Sequence, residues 1–543
     1  MAAARRKIIL LTILVFVVAL IPRVLPRNIL TVDETFHWVG RSERFFAAVE
    51  AGDWRNTAQA FHPGVATTWL GAAGILLSRI LHGADAVQLD YFSYINIVRI
   101  PIAVVNALSI VIAYLLLRVL LRPRIAIVAA LIWATEPFIV AHSAILHVDA
   151  LSMSFMTLSL LSGWYALRFE KKDYDPENAV RWRFLVFSAV VGGLAVLTKF
   201  TTLFVFPMIA MYSHFWYWRD LRQRPPRPVL AMAIWLLIAG VVWFALYPAT
   251  WSNMDYVISW LRHGANLALA PHDRGNFFMG QPVEDPGILL YPVAVVLRLT
   301  PWAVIGVGLA VVAVFRREFR PYRKAILALL FVVVMYIAVM ALQPKKFDRY
   351  IIQTFPLLAI LAGCGLTWAI DFITTKLNVS RLENRRAIRL AAGGIAVLVV
   401  TFNLAWYHPY YLSYFNPLLG GSSTAVQTLL VGWGEGLEQV AAYVRAHGGA
   451  CHEEVLGELP KMRVLDRFNP CMIAAGFEPE MLEAEGYVIV YISMAQRQQF
   501  GGYRDAISQV EPVYEVNVHG IEYARVYDLA TLTQVSASRD ASS

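Results

Sequence analysis

Charged residues are scarce in this chain of 543 residues: only 16% are Asp, Glu, Lys or Arg, whereas a soluble protein carries roughly 25%. Apolar residues take their place and make up 58% of the sequence. Apolar runs recur along the chain, end at arginines, and have about the 17 to 25 residues that a helix needs to cross a bilayer. These features exclude a wholly soluble protein and indicate one that crosses a membrane many times.

The net charge of +9 would suggest a nucleic-acid partner if the protein were soluble. Most of the basic residues, however, lie in short loops between apolar runs, where the positive-inside rule places them. The excess of positive charge therefore orients the chain in a membrane. We predict membrane lipids as its surroundings and no nucleic acid as a partner.

Cysteine is also rare, with three residues in the whole chain. Cys364 lies inside an apolar run and is expected to be a small buried side chain. Cys451 and Cys471 lie in a polar C-terminal region, and their pairing is left open because a disulfide needs an oxidising compartment. The cysteines lack the grouped spacing of a zinc site.

The basic clusters predict about eleven spans with a cytoplasmic N-terminus. The first apolar run is read as an uncleaved span, since Ile21-Pro22-Arg23 follows it instead of a small-residue cleavage site. If Val65–Leu81 does not span, the arginine clusters all fall on the cytoplasmic side. The predicted spans are Ile8–Ile21, Ile97–Leu117, Ile125–Ile145, Leu151–Leu167, Phe184–Leu197, Thr202–Trp218, Val229–Tyr247, Ile288–Phe315, Ala325–Leu342, Tyr350–Ile370 and Ala391–Tyr407.

The composition changes after the last apolar run, which predicts two domains. Residues 1–408 form a helical membrane domain whose first external loop covers residues 22–96. Residues 409–543 contain no later run long enough to span, so they predict a small extracytoplasmic α/β domain of a cell or inner-membrane protein. Its predicted elements are a helix over Val426–Arg445, a strand over Tyr487–Ser493 and a strand pair over Val513–Tyr527.

Ionisable residues collect on the external side in this topology, although such groups are expensive at membrane depth and are usually functional there. They are Asp33, Glu34, His37 and His62 in the first loop, Asp149 and Lys199 at later turns, and Lys345, Lys346 and Arg349 before a span. Each has a simple structural alternative, because carboxylates cap helices and lysines anchor interfaces. External lysines nevertheless run against the positive-inside rule. Jointly, the carboxylates and cations predict an outer cavity suited to an anionic lipid phosphate.

The order of several short motifs resembles that of a known family. The motifs are Asp33-Glu34, His62-Pro63, Asp149, Thr198-Lys199, Lys345-Lys346-Phe347-Asp348-Arg349-Tyr350, the segment Tyr410–Pro417 and Gly432-Trp433-Gly434-Glu435-Gly436. Over about residues 8–417 this order is similar to that of the GT-C glycosyltransferases. Within that superfamily it resembles protein O-mannosyltransferases, lipid A aminoarabinose transferases and bacterial relatives that use polyprenyl-phosphate sugars. One departure is Gly64, where relatives more often have a second proline after the His-Pro pair.

The resemblance implies a GT-C-like bundle that transfers a sugar from a polyprenyl-phosphate carrier to a lipid, glycan or protein acceptor. Asp33 would be the general base, with Glu34 beside it as the second catalytic candidate. The donor phosphate would be bound by Lys199, Lys345, Lys346 and Arg349. Loop positioning, or the binding of a metal, would fall to His62, Asp149 and His37. No cofactor is firmly implied, and a divalent metal stays open because some relatives use one.

Two other functions are weighed against this hypothesis. An oligosaccharyltransferase or polymer ligase would be expected to lack the Asp-Glu then His-Pro loop. A non-enzymatic flippase or transporter of lipid-linked glycans would favour paired repeats with broken helices near the midplane, and the two halves of the sequence lack that symmetry. The C-terminal domain either recognises the acceptor or braces the outer loops, and the sequence slightly favours bracing.

Overall fold

The computed structural model of the protein describes residues 2–61, 63–83, 90–167, 180–211, 226–376, 382–447, 454–468, 472–476 and 486–540. Helices make up most of these residues, and a small sheet lies near the C-terminus. This arrangement confirms the predicted fold class, a helical membrane bundle with a small C-terminal sheet. Cys451 and Cys471, together with His62, lie outside the described residues.

The described helices follow one another along the whole chain. The α-helices are Ala2–Val24, Gly40–Glu50, Val65–His82, Tyr91–Val98, Ile100–Leu120, Pro123–Thr135, Pro137–Ser143, Val148–Leu167, Trp182–Thr198, Pro226–Leu246, Ala249–Ser252, Met254–Leu269, Leu290–Arg298, Pro301–Val314, Arg323–Ala341, Phe355–Lys376, Leu382–Tyr407, Gly421–Thr428, Leu437–His447, Leu459–Phe468, Ile492–Arg497, Arg504–Ile507 and Leu529–Asp540. A π-helix covers Glu34–Val39. Short 3₁₀ helices cover Trp54–Thr57, Phe200–Phe204, Arg317–Phe319, Asp348–Thr354, Tyr411–Ser413, Pro417–Leu419 and Gly501–Tyr503.

Within the described ranges, eight helices are long and apolar enough to cross a membrane, or up to ten if each of two bent pairs counts as one span. Shorter apolar helices occupy Trp182–Thr198 and Phe200–Met211, where two further spans are predicted. Val65–His82, for which the charge pattern predicts no span, is also long enough to cross. The number of eleven spans therefore stays a prediction.

The two bent pairs are joined by one buried carboxylate. Pro123–Thr135 meets Pro137–Ser143 at 63°, and Leu290–Arg298 meets Pro301–Val314 at 117°. Glu136, at the first bend, accepts hydrogen bonds from the Thr300 backbone N–H at 2.7 Å and from its hydroxyl at 2.9 Å at the second bend. Since an unpaired carboxylate would be costly here, this contact fixes the two bends against each other.

The loops that are predicted to lie on the cytoplasmic side contact one another in the fold. Arg122 donates to the Tyr322 hydroxyl at 2.9 Å, and Arg124 lies 3.4 Å from the Asp371 carboxylate. The first loop, by contrast, contacts the C-terminal domain, where the Val32 N–H donates to the Trp433 carbonyl at 2.8 Å. The two sets of loops thus have different partners in the fold, and the side of the membrane on which each lies stays a prediction.

Seven strands are described, two in the membrane domain and five in the C-terminal region. They are β1 Asn276–Phe278, β2 Gln281–Val283, β3 Glu454–Leu456, β4 Ile473–Ala475, β5 Gly486–Tyr491, β6 Tyr514–Val518 and β7 Ile521–Asp528. The strands β1 and β2 form an antiparallel hairpin in a loop of the membrane domain. The other five form one sheet in the order β4-β3-β5-β7-β6. Within it β3, β4 and β5 are parallel, whereas β7 pairs antiparallel with β5 and β6.

The predicted strands occur close to their expected places, and the predicted helix over Val426–Arg445 does not form as one element. Two helices, Gly421–Thr428 and Leu437–His447, flank a loop instead. Gly432, Gly434 and Gly436 all have positive φ in this loop, at 96°, 136° and 83°. An amphipathic pattern alone does not reveal such a break, because glycine at positive φ interrupts the helix while the apolar spacing continues.

Candidate active site

A cavity of about 290 Å³ lies where the first loop, the segment before Phe355–Lys376 and the C-terminal domain meet. Its wall is rich in ionisable and aromatic side chains. The lining residues from the membrane domain include Asp33, Phe36, His37, Phe138, His142, His272, Asp273, Arg274, Arg298, Phe347, Asp348 and Arg349. Those from the C-terminal domain include Trp433, Glu435, Glu458, Lys461, Ser493 and Arg497. The C-terminal domain therefore forms part of the cavity wall as well as bracing the loops.

Asp33 lies immediately before the π-helix Glu34–Val39, a helix type that is often found at functional sites. Its side chain does not cap that helix. Instead, one carboxylate oxygen lies 3.1 Å from Arg349 Nη2 and 3.7 Å from His147 Nε2. The side chain keeps 25% of its surface exposed. Asp33 is thus fixed by cations on one side and open on the other.

These contacts hold Asp33 in its ionised form. Burial raises the pKa of Asp33, but the Arg349 guanidinium and the His147 imidazole outweigh it and hold the pKa far below its usual range. The pKa of His147 shifts in the opposite direction. Burial lowers its pKa, but the Asp149 and Asp33 carboxylates outweigh burial and raise the pKa above its ordinary value of 6.5. The His147 imidazole therefore lies between two carboxylates that favour its protonated form.

Asp149 and Lys199 form the deeper part of the same network. Lys199 Nζ lies 2.5 Å from Asp149 Oδ1, and the Asp149 side chain is only 1% exposed. Asp149 Oδ2 lies 3.3 Å from His147 Nδ1 and 3.7 Å from Arg349 Nε. Each carboxylate of the network is therefore in contact with two or more cationic groups.

Aromatic rings fix the guanidinium of Arg349. Its central carbon lies 4.6 Å from the ring centroid of Phe347 and 4.6 Å from that of Trp433. Trp433 also packs against His147 with ring centroids 5.1 Å apart. Cation–π contacts of this kind strengthen when water is excluded. The C-terminal domain thus contributes directly to the position of Arg349.

Glu34 lies beside Asp33 in sequence but in a different environment. Its side chain is fully buried and forms two close contacts with Arg99, at 2.6 and 2.9 Å. It also accepts a hydrogen bond of 2.7 Å from the Leu146 backbone N–H. Arg99 in turn donates to the carbonyls of Arg27 and Ile29. Glu34 therefore ties the first loop to the turn that carries His147.

The remaining candidates divide between the cavity and its surroundings. His37 lines the cavity. Lys345 is half-buried and lies near enough to Arg349, Asp273 and Asp33 to interact with their charges. Lys346 is 2% exposed, and its ammonium lies 2.5 Å from Asp285. The structure thus brings Asp33, Asp149, Lys199 and Arg349 into one network and directs Lys346 to a separate ion pair.

Gly64 explains why this chain departs from a His-Pro-Pro pattern. Its φ is 61°, which a proline ring does not permit. A Cβ atom here would lie 2.5 Å from the Trp38 ring, and Trp38 packs edge-on against His147. The Gly64 N–H also donates to the Thr198 carbonyl at 3.1 Å, next to Lys199. The glycine therefore permits a close contact that joins the first loop to two turns of the site.

Cationic side chains contact part of each carboxylate of the network. Lys199 Nζ lies on one oxygen of Asp149, and Arg349 Nη2 lies on one oxygen of Asp33. In the part of the chain that the structure describes, no group of three His, Cys, Asp or Glu side chains is arranged to hold a metal ion. The binding of a divalent metal at this site stays a prediction.

Sequence reasoning missed several residues of the site. His147 lies two positions before Asp149, so its proximity could have been noticed from the turn between two spans. Trp433 and Glu435 lie in the glycine-rich motif that carried part of the resemblance. Lys461 and Arg497 stand in ordinary amphipathic surroundings, and no local signal in the sequence points to them.

The chain is similar in sequence to known membrane transferases. A family model described as dolichyl-phosphate-mannose-protein mannosyltransferase matches residues 93–244. Two undecaprenyl phosphate-α-4-amino-4-deoxy-L-arabinose arabinosyl transferases are 25% identical over 303 residues (Pseudomonas paraeruginosa) and 27% identical over 275 residues (Pseudomonas aeruginosa). These matches cover 55% and 50% of this chain and 48% and 45% of the relatives. The chain spans about half the length of the curated relatives that it matches.

Two solved structures share the fold. ArnT from Cupriavidus metallidurans bound to undecaprenyl phosphate has a TM-score of 0.50 and 15% identity, and the match covers 96% of this chain and 98% of that one. AglB from Archaeoglobus fulgidus, an archaeal oligosaccharyltransferase in complex with an inhibitory peptide and a dolichol-phosphate, has a TM-score of 0.51 and 14% identity. That match covers 93% of this chain and 71% of AglB. At these identities the likeness is one of fold.

Proposed function

We propose that the chain is a membrane glycosyltransferase of the GT-C superfamily and that it moves a monosaccharide from a polyprenyl-phosphate carrier to an acceptor on the extracytoplasmic side. The matched family model, the similar arabinosyl transferases and the shared fold support this proposal. Asp33 acts as the general base. The C-terminal domain then lies outside the membrane and the N-terminus in the cytoplasm, in agreement with the positive-inside rule.

One observation carries the proposal. Asp33, Lys199, Arg349 and the pair His147 and Asp149 come from four separate segments of the chain and meet in one network of contacts. A carboxylate open to a cavity and a guanidinium beside it are the two groups that an inverting transfer to a phosphate leaving group needs. The acceptor requires a base, and the departing phosphate requires positive charge.

The proposed reaction uses the groups in these roles. The acceptor hydroxyl gives its proton to Asp33 while its oxygen forms a bond to the anomeric carbon of the donor sugar. The bond between that carbon and the phosphate oxygen breaks, and the electron pair leaves with the phosphate on the lipid carrier. Arg349 stabilises this phosphate through its planar fork, with Lys345 and Lys199 adding positive charge.

Binding of the donor also prepares the base. Without donor, Arg349 lies 3.1 Å from Asp33 and makes its carboxylate a weak base. A phosphate on Arg349 draws part of that charge away and raises the proton affinity of Asp33. His147 orients the Asp33 carboxylate, and Glu34 holds the first loop in place. His37 and Asp149 position the wall of the cavity. The role of Lys346 at the phosphate stays a prediction because its ammonium lies on Asp285.

The test uses purified full-length protein in lipid nanodiscs with a panel of radiolabelled undecaprenyl-phosphate sugars and a mixture of envelope lipid and protein acceptors. We expect transfer by the wild type and a loss of about 10²- to 10⁴-fold in Asp33→Asn, with undecaprenyl phosphate still bound. The matched control is Asp53→Asn, which makes the same change at an exposed turn of the first loop. Equal turnover by Asp33→Asn and the wild type would remove the general-base role.

A further inference from the structure

The wall of the cavity on the C-terminal domain contains a buried arginine that makes no hydrogen bond to any described residue. Arg497 ends the helix Ile492–Arg497 after strand β5, lines the cavity and has a side chain that is only 7% exposed. Its Nε is buried without a hydrogen-bond partner among the described residues. The nearest described carboxylate, Glu458, lies 4.0 Å from Arg497 Nη1, beyond hydrogen-bond distance. An arginine that is desolvated in this way is costly unless an anion compensates it.

Glu458 is already bound by other groups. One of its oxygens pairs closely with Arg274, and the other accepts a hydrogen bond from the Ser493 hydroxyl at 3.2 Å. Glu458 is therefore the partner of Arg274 and leaves the Arg497 fork available. The arrangement is not a closed ion pair of the kind that Glu34 forms with Arg99.

Other charged side chains line the cavity together with Arg497. Lys461 is 5% exposed, lies over the Tyr491 ring and donates to the Gly432 carbonyl at 3.2 Å. Arg274 of the membrane domain lines the same cavity, as do the carboxyl groups of Asp273, Glu435 and Glu458. Lys461 and Arg274 thus have close partners, whereas Arg497 Nε has none among the described residues.

We propose that Arg497, supported by Lys461 and Arg274, is a second oxyanion subsite of the cavity, separate from Arg349, and that it binds a carboxylate or phosphate group of a sugar acceptor. The assignment to the acceptor rests on the proposed transferase function. The planar guanidinium fork suits either oxyanion. The whole cavity measures about 290 Å³, so an anion on Arg497 places the rest of a small sugar near Asp33.

Arg349 and Arg497 lie on opposite sides of the interface between the membrane domain and the C-terminal domain. Arg349 belongs to the membrane domain and is in contact with the Asp33 network, as a group for a lipid phosphate should be. Arg497 belongs to the C-terminal domain and contacts neither Asp33 nor Asp149 within 4 Å among the described residues. The alternative is a diphosphate donor that contacts both Arg349 and Arg497, and the experiment distinguishes this donor from an acceptor.

The test measures binding to full-length protein in lipid nanodiscs by calorimetry, with glucuronate, glucose 6-phosphate and neutral glucose as soluble probes. For the wild type we expect both anionic sugars to bind at least about ten-fold more tightly than glucose. Arg497→Gln should remove this preference, and Arg497→Lys should keep only part of it because the fork is lost. The matched control Arg504→Gln removes an exposed arginine of the same domain and should bind the anionic sugars as the wild type does.

The second part of the experiment measures binding of the two lipid carriers. Undecaprenyl phosphate and undecaprenyl diphosphate should bind to Arg497→Gln as to the wild type, whereas Arg349→Gln should bind both more weakly. A selective loss of the diphosphate in Arg497→Gln would overturn the acceptor assignment in favour of a diphosphate donor. Equal binding of glucose and the anionic sugars by the wild type would overturn the subsite itself. Bound anionic sugars together with no affinity for either carrier would uphold the subsite and overturn the proposed function.

Discussion

Two neighbouring carboxylates of the first loop have opposite environments. Asp33 faces the cavity with a side chain that is 25% exposed, whereas Glu34 is fully buried. Both contact an arginine, but Glu34 also accepts the Leu146 N–H and so has its oxygens occupied on all sides. The difference teaches that a charged pair in the sequence need not be a catalytic pair. One residue is open to a ligand, and the other holds the loop that presents it.

The neighbouring lysines before Phe355–Lys376 repeat this division. Lys346 is buried in an ion pair with Asp285. Lys345 is half-buried beside the charges of Arg349 and Asp33, and it has no carboxylate within 4 Å in the described part of the chain. Burial lowers the pKa of Lys345, and the Arg349 charge lowers it further. Of the two lysines, Lys345 is therefore the one that an arriving anion would stabilise.

The largest effect is expected from Glu34→Gln. This change leaves the buried Arg99 without its charge partner, and loss of one partner of a buried ion pair typically costs about 3–5 kcal/mol. We expect a strong fall in melting temperature and in the yield of monodisperse protein from detergent. Asp33→Asn makes the same chemical change one position earlier and should fold normally. Similar melting curves for the two variants would contradict the division between them.

A smaller effect is expected from His147→Gln, which removes the link between Asp33 and Asp149. The folded protein raises the pKa of His147 above 6.5, so the imidazole contributes stability that is full below pH 6.5 and is lost as pH rises through the folded pKa. Melting temperature should therefore fall between pH 7 and 9 in the wild type and fall less in His147→Gln.

His272→Gln is the control for this titration. Burial, together with the nearby Arg497 and Lys345 charges, lowers the pKa of His272 to about 4. The imidazole is then neutral throughout the alkaline range, so its removal should leave the slope between pH 7 and 9 unchanged. A slope in His147→Gln equal to that of the wild type would show that this histidine is not held in its protonated form.

The smallest expected effect is a difference in carrier affinity between variants of Lys345 and Lys346. Lys345→Gln should weaken binding of undecaprenyl phosphate by about three- to ten-fold, as expected for one charged contact that is partly exposed to water. Lys346→Gln should leave that affinity within about two-fold, and it should change melting temperature only slightly because Asp285 is half exposed. Affinities from calorimetry in nanodiscs test this pair, and equal losses would place both lysines at the phosphate.

Much of the fold could be predicted from the sequence because a bilayer demands long apolar helices. Apolar helices occur at the predicted spans, and the sheet strands occur near Tyr487–Ser493 and Val513–Tyr527. The break between Gly421–Thr428 and Leu437–His447 was not predictable from apolar spacing. The bends at Glu136 and Thr300 also depend on a contact between residues 164 positions apart.

The site was predictable in its membrane part and not in its C-terminal part. Asp33, Asp149, Lys199 and Arg349 stand out because charge is rare near apolar runs. Arg497 and Lys461 lie in a polar region where charge is common, so neither could be recognised before the domain packed against the first loop. His147 could have been noticed from its place two positions before Asp149, but its contact with Asp33 depends on the folded chain.

The sequence by itself determined that this is a multi-span membrane protein and which ionisable residues lie next to its apolar runs, because the length of an apolar run and the position of a charge are local properties. Only the tertiary structure decided which of two adjacent carboxylates, and which of two adjacent lysines, faces the cavity. That choice depends on partners that are distant in the sequence, such as Arg99 and Asp285. A charged side chain is buried only beside an opposite charge, because an unpaired buried charge is costly.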